Sequence, residues 1–84
     1  MKLYEIVNNV RSKNDFVQFI KLLKKDLKDN PDEWENADLT RYLSAMAAWV
    51  SQIDGYYINM GEKTPADISW NVFANILMAA KIYE

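Results

Sequence analysis

Ile68-Ser69-Trp70-Asn71-Val72-Phe73-Ala74-Asn75-Ile76-Leu77-Met78-Ala79-Ala80-Lys81-Ile82-Tyr83 is the stretch on which the reading of the chain turns. Wound as a helix, it carries Ile68, Trp70, Val72, Phe73, Ile76, Leu77, Ala80 and Tyr83 on more than one side, the mark of a helix packed against several neighbours. It is expected to be the central element. Thr64-Pro65-Ala66-Asp67 supplies a start: Thr can cap, Pro suits the first helical position, and Asp67 falls at N3.

Working back from it, Leu39, Tyr42, Leu43, Met46, Trp49, Val50 and Ile53 recur at intervals of three and four and predict an amphipathic helix capped by Asn36. Ala45, Ala47 and Ala48 add helix propensity and allow a neighbouring helix close approach. Gly55 stands where a left-handed C′ residue is wanted, with Tyr56 placed to contact Val50. Residues 56–63 then read as the longest connection. Upstream, Ser12 caps a helix with Asp15 three positions on, a buried stripe of Phe16, Phe19, Ile20, Leu23 and Leu27, and a stop at Asn30-Pro31. Leu3, Ile6, Val7 and Val10 predict a short first helix. The expected fold is all-α, a compact bundle of about four helices in one domain over residues 1–84, with the C-terminal helix at its centre.

Composition narrows the chemistry. The chain has 84 residues with no Cys and no His, so disulfides and thiolate metal sites are excluded, and with them the commonest general base and transition-metal ligand. A cytoplasmic location fits. No apolar run reaches spanning length, and Glu5, Asn8 and Asn9 interrupt the N-terminal one, which is read as neither signal peptide nor membrane span. The net charge of −2 divides unevenly: residues 1–30 carry seven basic and four acidic side chains, residues 31–84 three and eight.

Phe16-x-x-Phe19-x-x-x-Leu23, the run Trp34-Glu35-Asn36-x-x-Leu39-x-x-Tyr42-Leu43-x-Ala45-Met46-x-Ala48-Trp49, and the tail Ser69-Trp70-x-x-Phe73-Ala74 through Tyr83-Glu84 stand together over nearly the whole chain. In combination they resemble a small bacterial family of uncharacterised proteins, a domain of unknown function. The resemblance implies a short helical domain of bacterial origin and carries no activity, cofactor or catalytic residue.

Four surfaces compete for a function. Lys21, Lys24, Lys25 and Lys28 form a ridge on the second helix, read as its solvated face, because a nucleic-acid domain carries a basic excess and this chain is acidic. Asp32, Glu33, Glu35 and Asp38 place four carboxylates in seven residues, but their spacing is not that of a calcium loop, and helix N-termini attract acids on their own. Trp34 is expected to cap the core with its indole N–H on a polar partner, and Trp49 and Trp70 to lie within the core. The 56–63 segment has the composition of a contact surface, with Tyr57 and Met60 as apolar anchors and Glu33 and Glu35 steering a basic partner. No nucleophile or phosphate loop is present, so neither catalytic residues nor cofactors are assigned. The expectation is a protein-interaction module, immunity- or adaptor-like, binding a protein and neither nucleic acid nor membrane; the alternative is a small ligand-binding domain or enzyme with a pocket near 56–63.

Overall fold

The computed structural model describes residues 2–83; Met1 and Glu84, the latter closing the Tyr-Glu motif, lie outside the described residues. Ser12 starts the longest helix as expected: its Oγ accepts from the Asp15 N–H at 3.1 Å, while the Asp15 carboxylate accepts from the Arg11 N–H at 3.0 Å. That helix, α2, runs Lys13–Asp29, after a short α1 over Leu3–Val7. Asn30 closes α2 at φ −134°, outside the left-handed region, and Pro31–Glu33 turns the chain in one 3₁₀ turn. The remaining helices are α3 (Leu39–Ser51), α4 (Ile53–Asn59) and α5 (Trp70–Ala80), with no strand among the described residues.

The expected centre is the observed one. α5 packs against α1, α2 and α3, and α1 also packs on α2. The apolar core joins Val7 and Val10 to Phe19 and Leu23 of α2, Trp34, and Ala74 of α5. Ala74 and Ala80, both without exposed surface, let the flanking helices approach the α5 backbone.

Three boundaries differ from the sequence reading, each for a local reason. α5 begins at Trp70, because Ser69 Oγ accepts from the Val72 N–H at 3.1 Å, whereas Thr64 donates its hydroxyl hydrogen to Asp54 at 2.6 Å. α3 is capped by Asp38, whose carboxylate accepts from the Arg41 N–H at 2.9 Å, and not by Asn36. Gly55 does not end a helix: it lies within α4, and the left-handed residue is Gly61 at φ 75°. The Gly61 N–H donates to the Ile58 carbonyl at 3.0 Å and the Glu62 N–H to that of Tyr57 at 2.8 Å, the paired bonds of a Schellman closure. Half of the expected 56–63 loop, residues 56–59, is therefore helical.

The Trp-Glu-Asn run is architectural. The Trp34 indole is buried, as expected, and donates to Asp26 at 2.8 Å; Lys81 pairs with the same carboxylate at 2.9 Å and sits 5.5 Å from the Trp34 ring centroid. Asn36 is spent on the far end of α5. Its Nδ2 donates to the carbonyls of Ala80 at 3.0 Å and Tyr83 at 2.8 Å, and its own N–H to that of Lys81 at 3.1 Å. Helix C-termini leave carbonyls without intrahelical partners, and this one side chain satisfies two acceptors there. Asn36→Asp replaces the amide donor with a carboxylate facing carbonyl oxygens, so a loss of about 1–3 kcal/mol is expected in urea unfolding. An unchanged midpoint would show that Asn36 does not hold the end of α5.

Candidate functional site

α2 and α3 both lie on α5, and between them the surface opens into a groove of about 340 Å³. Ile20, Leu23 and Leu27 form its α2 wall, Leu39 and Tyr42 its α3 wall, and Leu77 of α5 its floor, with Trp34 and Ala37 at one end. Lys24 is the charged side chain among these lining residues. Tyr42 donates its hydroxyl hydrogen to the Leu77 carbonyl at 2.7 Å, and burial pushes the phenol up to about 12, so it stays a donor throughout the physiological range.

One turn beyond the groove on both α2 and α5 lies an aromatic cluster. Phe16 precedes Ile20 by one helical turn on α2, and Phe73 precedes Leu77 on α5, so both rows extend the same way. The Phe16 ring centroid lies 5.5 Å from that of Trp70 and 6.0 Å from that of Phe73. Trp70 and Phe73 keep 38% and 45% of their surface exposed, which corrects the placing of Trp70 in the core. They stand on α5 against Phe16 of α2.

α3 contributes a feature the sequence reading passed over. Its apolar residues form two faces, one of Tyr42, Ala45 and Trp49, the other of Leu39, Leu43, Met46 and Val50 at spacings of four, three and four. The first faces inward. On the second, Leu39 is 71% and Leu43 51% exposed. A helix whose apolar residues exceed one face needs more than one neighbour; that width was the available signal.

The contact residues expected from sequence are not brought together. Tyr57 is 6% exposed, because α4 turns its ring inward, where its hydroxyl accepts from Asn75 Nδ2 at 3.5 Å. An exposed loop anchor at Tyr57 is therefore corrected to a core side chain. Met60, just after α4, is 61% exposed and lines a separate cleft of about 700 Å³ with Trp49, Tyr56, Asn75 and Ile82. Glu33 and Glu35 are exposed on either side of buried Trp34; Glu33 lines a different cleft with Lys25 and Asp29. Tyr56, 5.1 Å from Trp49, is raised above its ordinary value by burial, then by Tyr57 and Glu62. Among the described residues no three carboxylates gather as a metal site, and no helix is long and apolar enough to cross a membrane.

Residues 12–84 match a family of unknown function, DUF7660, and the chain belongs to that family. Neither a curated protein nor a solved structure matches it.

Proposed function

We propose that this member of a family of unknown function is a cytoplasmic protein-interaction module of adaptor or immunity type, and that its contact surface is the groove between α2 and α3. The observation that supports the reading is the apolar lining of that groove, Ile20, Leu27, Leu39 and Leu77, with exposed Leu43 one turn beyond Leu39 on α3. Large apolar side chains grouped on one surface mark interaction sites, whereas scattered ones mark nothing. Met60, Glu33 and Glu35 are exposed outside the groove, and Tyr57 is buried on α4, so none of the four is part of this surface.

Exposed leucines contribute little to the fold, so Leu39→Ser with Leu43→Ser is expected to leave the circular dichroism and unfolding midpoint nearly unchanged. Affinity capture from a lysate of the source organism, followed by titration of the recovered partner, is expected to show binding at least about tenfold weaker, roughly 1.4 kcal/mol. Equal recovery by parent and variant would move the interface off the groove.

A second reading rests on the 700 Å³ cleft, whose volume lies within the range of small-molecule sites. Trp49 and Tyr56 offer it aromatic surface, and Asn8 and Asn75 offer amide groups. Under this reading a small, mostly apolar ligand with a neutral polar handle raises the melting temperature in proportion to its concentration.

A further inference from the structure

The two walls of the α2–α3 groove differ in charge. Lys24 lines it, and Lys21 and Lys28 flank Lys24 at three and four residues along α2, on the same side of the helix. None of these three makes an ion pair among the described residues, whereas Lys25 points the other way, to Asp29. The α3 wall is neutral. Arg41 is the one charge in Leu39–Ser51, and it is turned away onto Asp38 and the Glu35 carbonyl; the residues that line the groove on this side are Leu39 and Tyr42.

The groove runs beside α2 from Ile20 to Leu27, about 10 Å at the helical rise, or two turns, and the Phe16 ring stands one turn beyond it. An apolar trough of that length suits the apolar stripe of one short helix, with anchors three and four residues apart.

Building on the interaction-module reading, we propose that the occupant is an amphipathic helix of a partner protein carrying Asp or Glu along one flank of its apolar stripe. Its stripe lies over Leu39, Tyr42, Leu77 and Ile20, and its acidic flank lies against Lys21, Lys24 and Lys28. The opposite flank meets the neutral α3 wall and is uncharged. The asymmetry fixes which way the helix is rotated in the groove, and it excludes partners with lysines at those positions, since like charges opposed across an interface act against binding.

Selection from a phage-displayed library of helical peptides of about 16 residues, with a fixed apolar stripe and both flanks varied among Glu, Lys, Gln and Ser, tests this directly. The parent is expected to enrich Glu on one flank only. The variant Lys21→Glu, Lys24→Glu, Lys28→Glu, all at exposed positions, is expected to stay folded and to enrich Lys on that same flank. The best peptide is expected to bind the parent at least about tenfold tighter than its Gln-flanked version at low salt, with the difference shrinking as salt is added. Its amide shift changes in nuclear magnetic resonance should centre on Ile20, Lys24, Leu39 and Leu77. Enrichment without acidic bias, an unchanged preference in the charge-reversed variant, shift changes on another face, or no enrichment above background would each overturn the proposal. The broader reading is judged separately: a captured cellular partner that still depends on Leu39 and Leu43 keeps the interaction module while the acidic helix falls.

Discussion

Phe19→Ala is expected to lower the unfolding free energy by about 3–5 kcal/mol, the largest effect of any single apolar truncation in this chain. The Phe19 ring has no exposed surface and lies among Val7, Val10, Leu23, Trp34 and Ala74. Its removal takes away transfer free energy and leaves a cavity that rigid helices on three sides close only in part. For a domain with a total stability of about 5–15 kcal/mol, that is a third or more of the whole over most of the range. Phe73→Ala is the matched control: the ring already keeps 45% of its surface in water, so its loss should cost about 1–2 kcal/mol. Urea unfolding followed by circular dichroism measures both. If Phe73 proves as costly as Phe19, the aromatic cluster belongs to the core after all.

Asp26→Ala is expected to cost about 2–4 kcal/mol, because one carboxylate serves three donors. Removing it strands the Lys81 ammonium, whose side chain is 12% exposed, and the Trp34 indole N–H, and it frees the Asn30 amide. Burial alone pushes the Asp26 carboxyl up, but the bonds from Lys81, Trp34 and Asn30, together with the Lys81 charge, outweigh it and hold the group below the ordinary carboxylate value. A depressed folded value means that the stabilisation is present above the unfolded value of about 3.9 and is lost as pH falls through the folded one. The parent should therefore lose more stability than Asp26→Asn between about pH 6 and about pH 3. Parallel acid-induced losses would remove Asp26 from the pH response. Asp26→Leu combined with Lys81→Met should recover part of the loss, since an apolar pair leaves no buried charge unpaired.

The helices with one apolar face and one cap were legible in the sequence, and those with a choice of caps were not. α2 announces itself through Ser12, Asp15 and the Phe16-to-Leu27 stripe, and the breadth of apolar character in 68–83 places α5 at the centre. Its first residue was misplaced because Thr64-Pro65 and Ser69 offer the same capping chemistry. What decides between them is the Thr64–Asp54 bond, a contact ten residues apart that no local pattern contains. Gly55 and Gly61 pose the same ambiguity, resolved by continuation of the chain as α4.

The candidate site was legible only in its materials. The lysine ridge and the Leu39–Val50 row could both be read, but a solvated face and one wall of a groove have identical sequences until the neighbouring helix is in place. Tyr56 and Tyr57 are chemically equivalent on paper, and the rotation of α4 alone decides which ring is buried. Trp34 reads as a cap on the core, and its bond to Asp26 agrees, whereas Asn36 reads as the cap of α3 and instead bonds to residues 80 and 83, a partner far along the chain that no local pattern contains.

The arrangement of α5 bears on how the chain leaves the ribosome. α1 and α2 pack on each other, but α3 meets its principal neighbour only in α5, and the core gains Ala74 from the same helix. A nascent chain that has emerged only as far as residue 69 holds α1 to α4 with the apolar rows of α2 and α3 open to water. Synthesis proceeds at about 5–20 residues per second, so these segments stay without their central helix for a second or so before α5 arrives. During that interval the rows that later form the groove and those that later form the core are indistinguishable to a chaperone, and the nascent chain offers it a surface that overlaps the one proposed for the mature protein's partner.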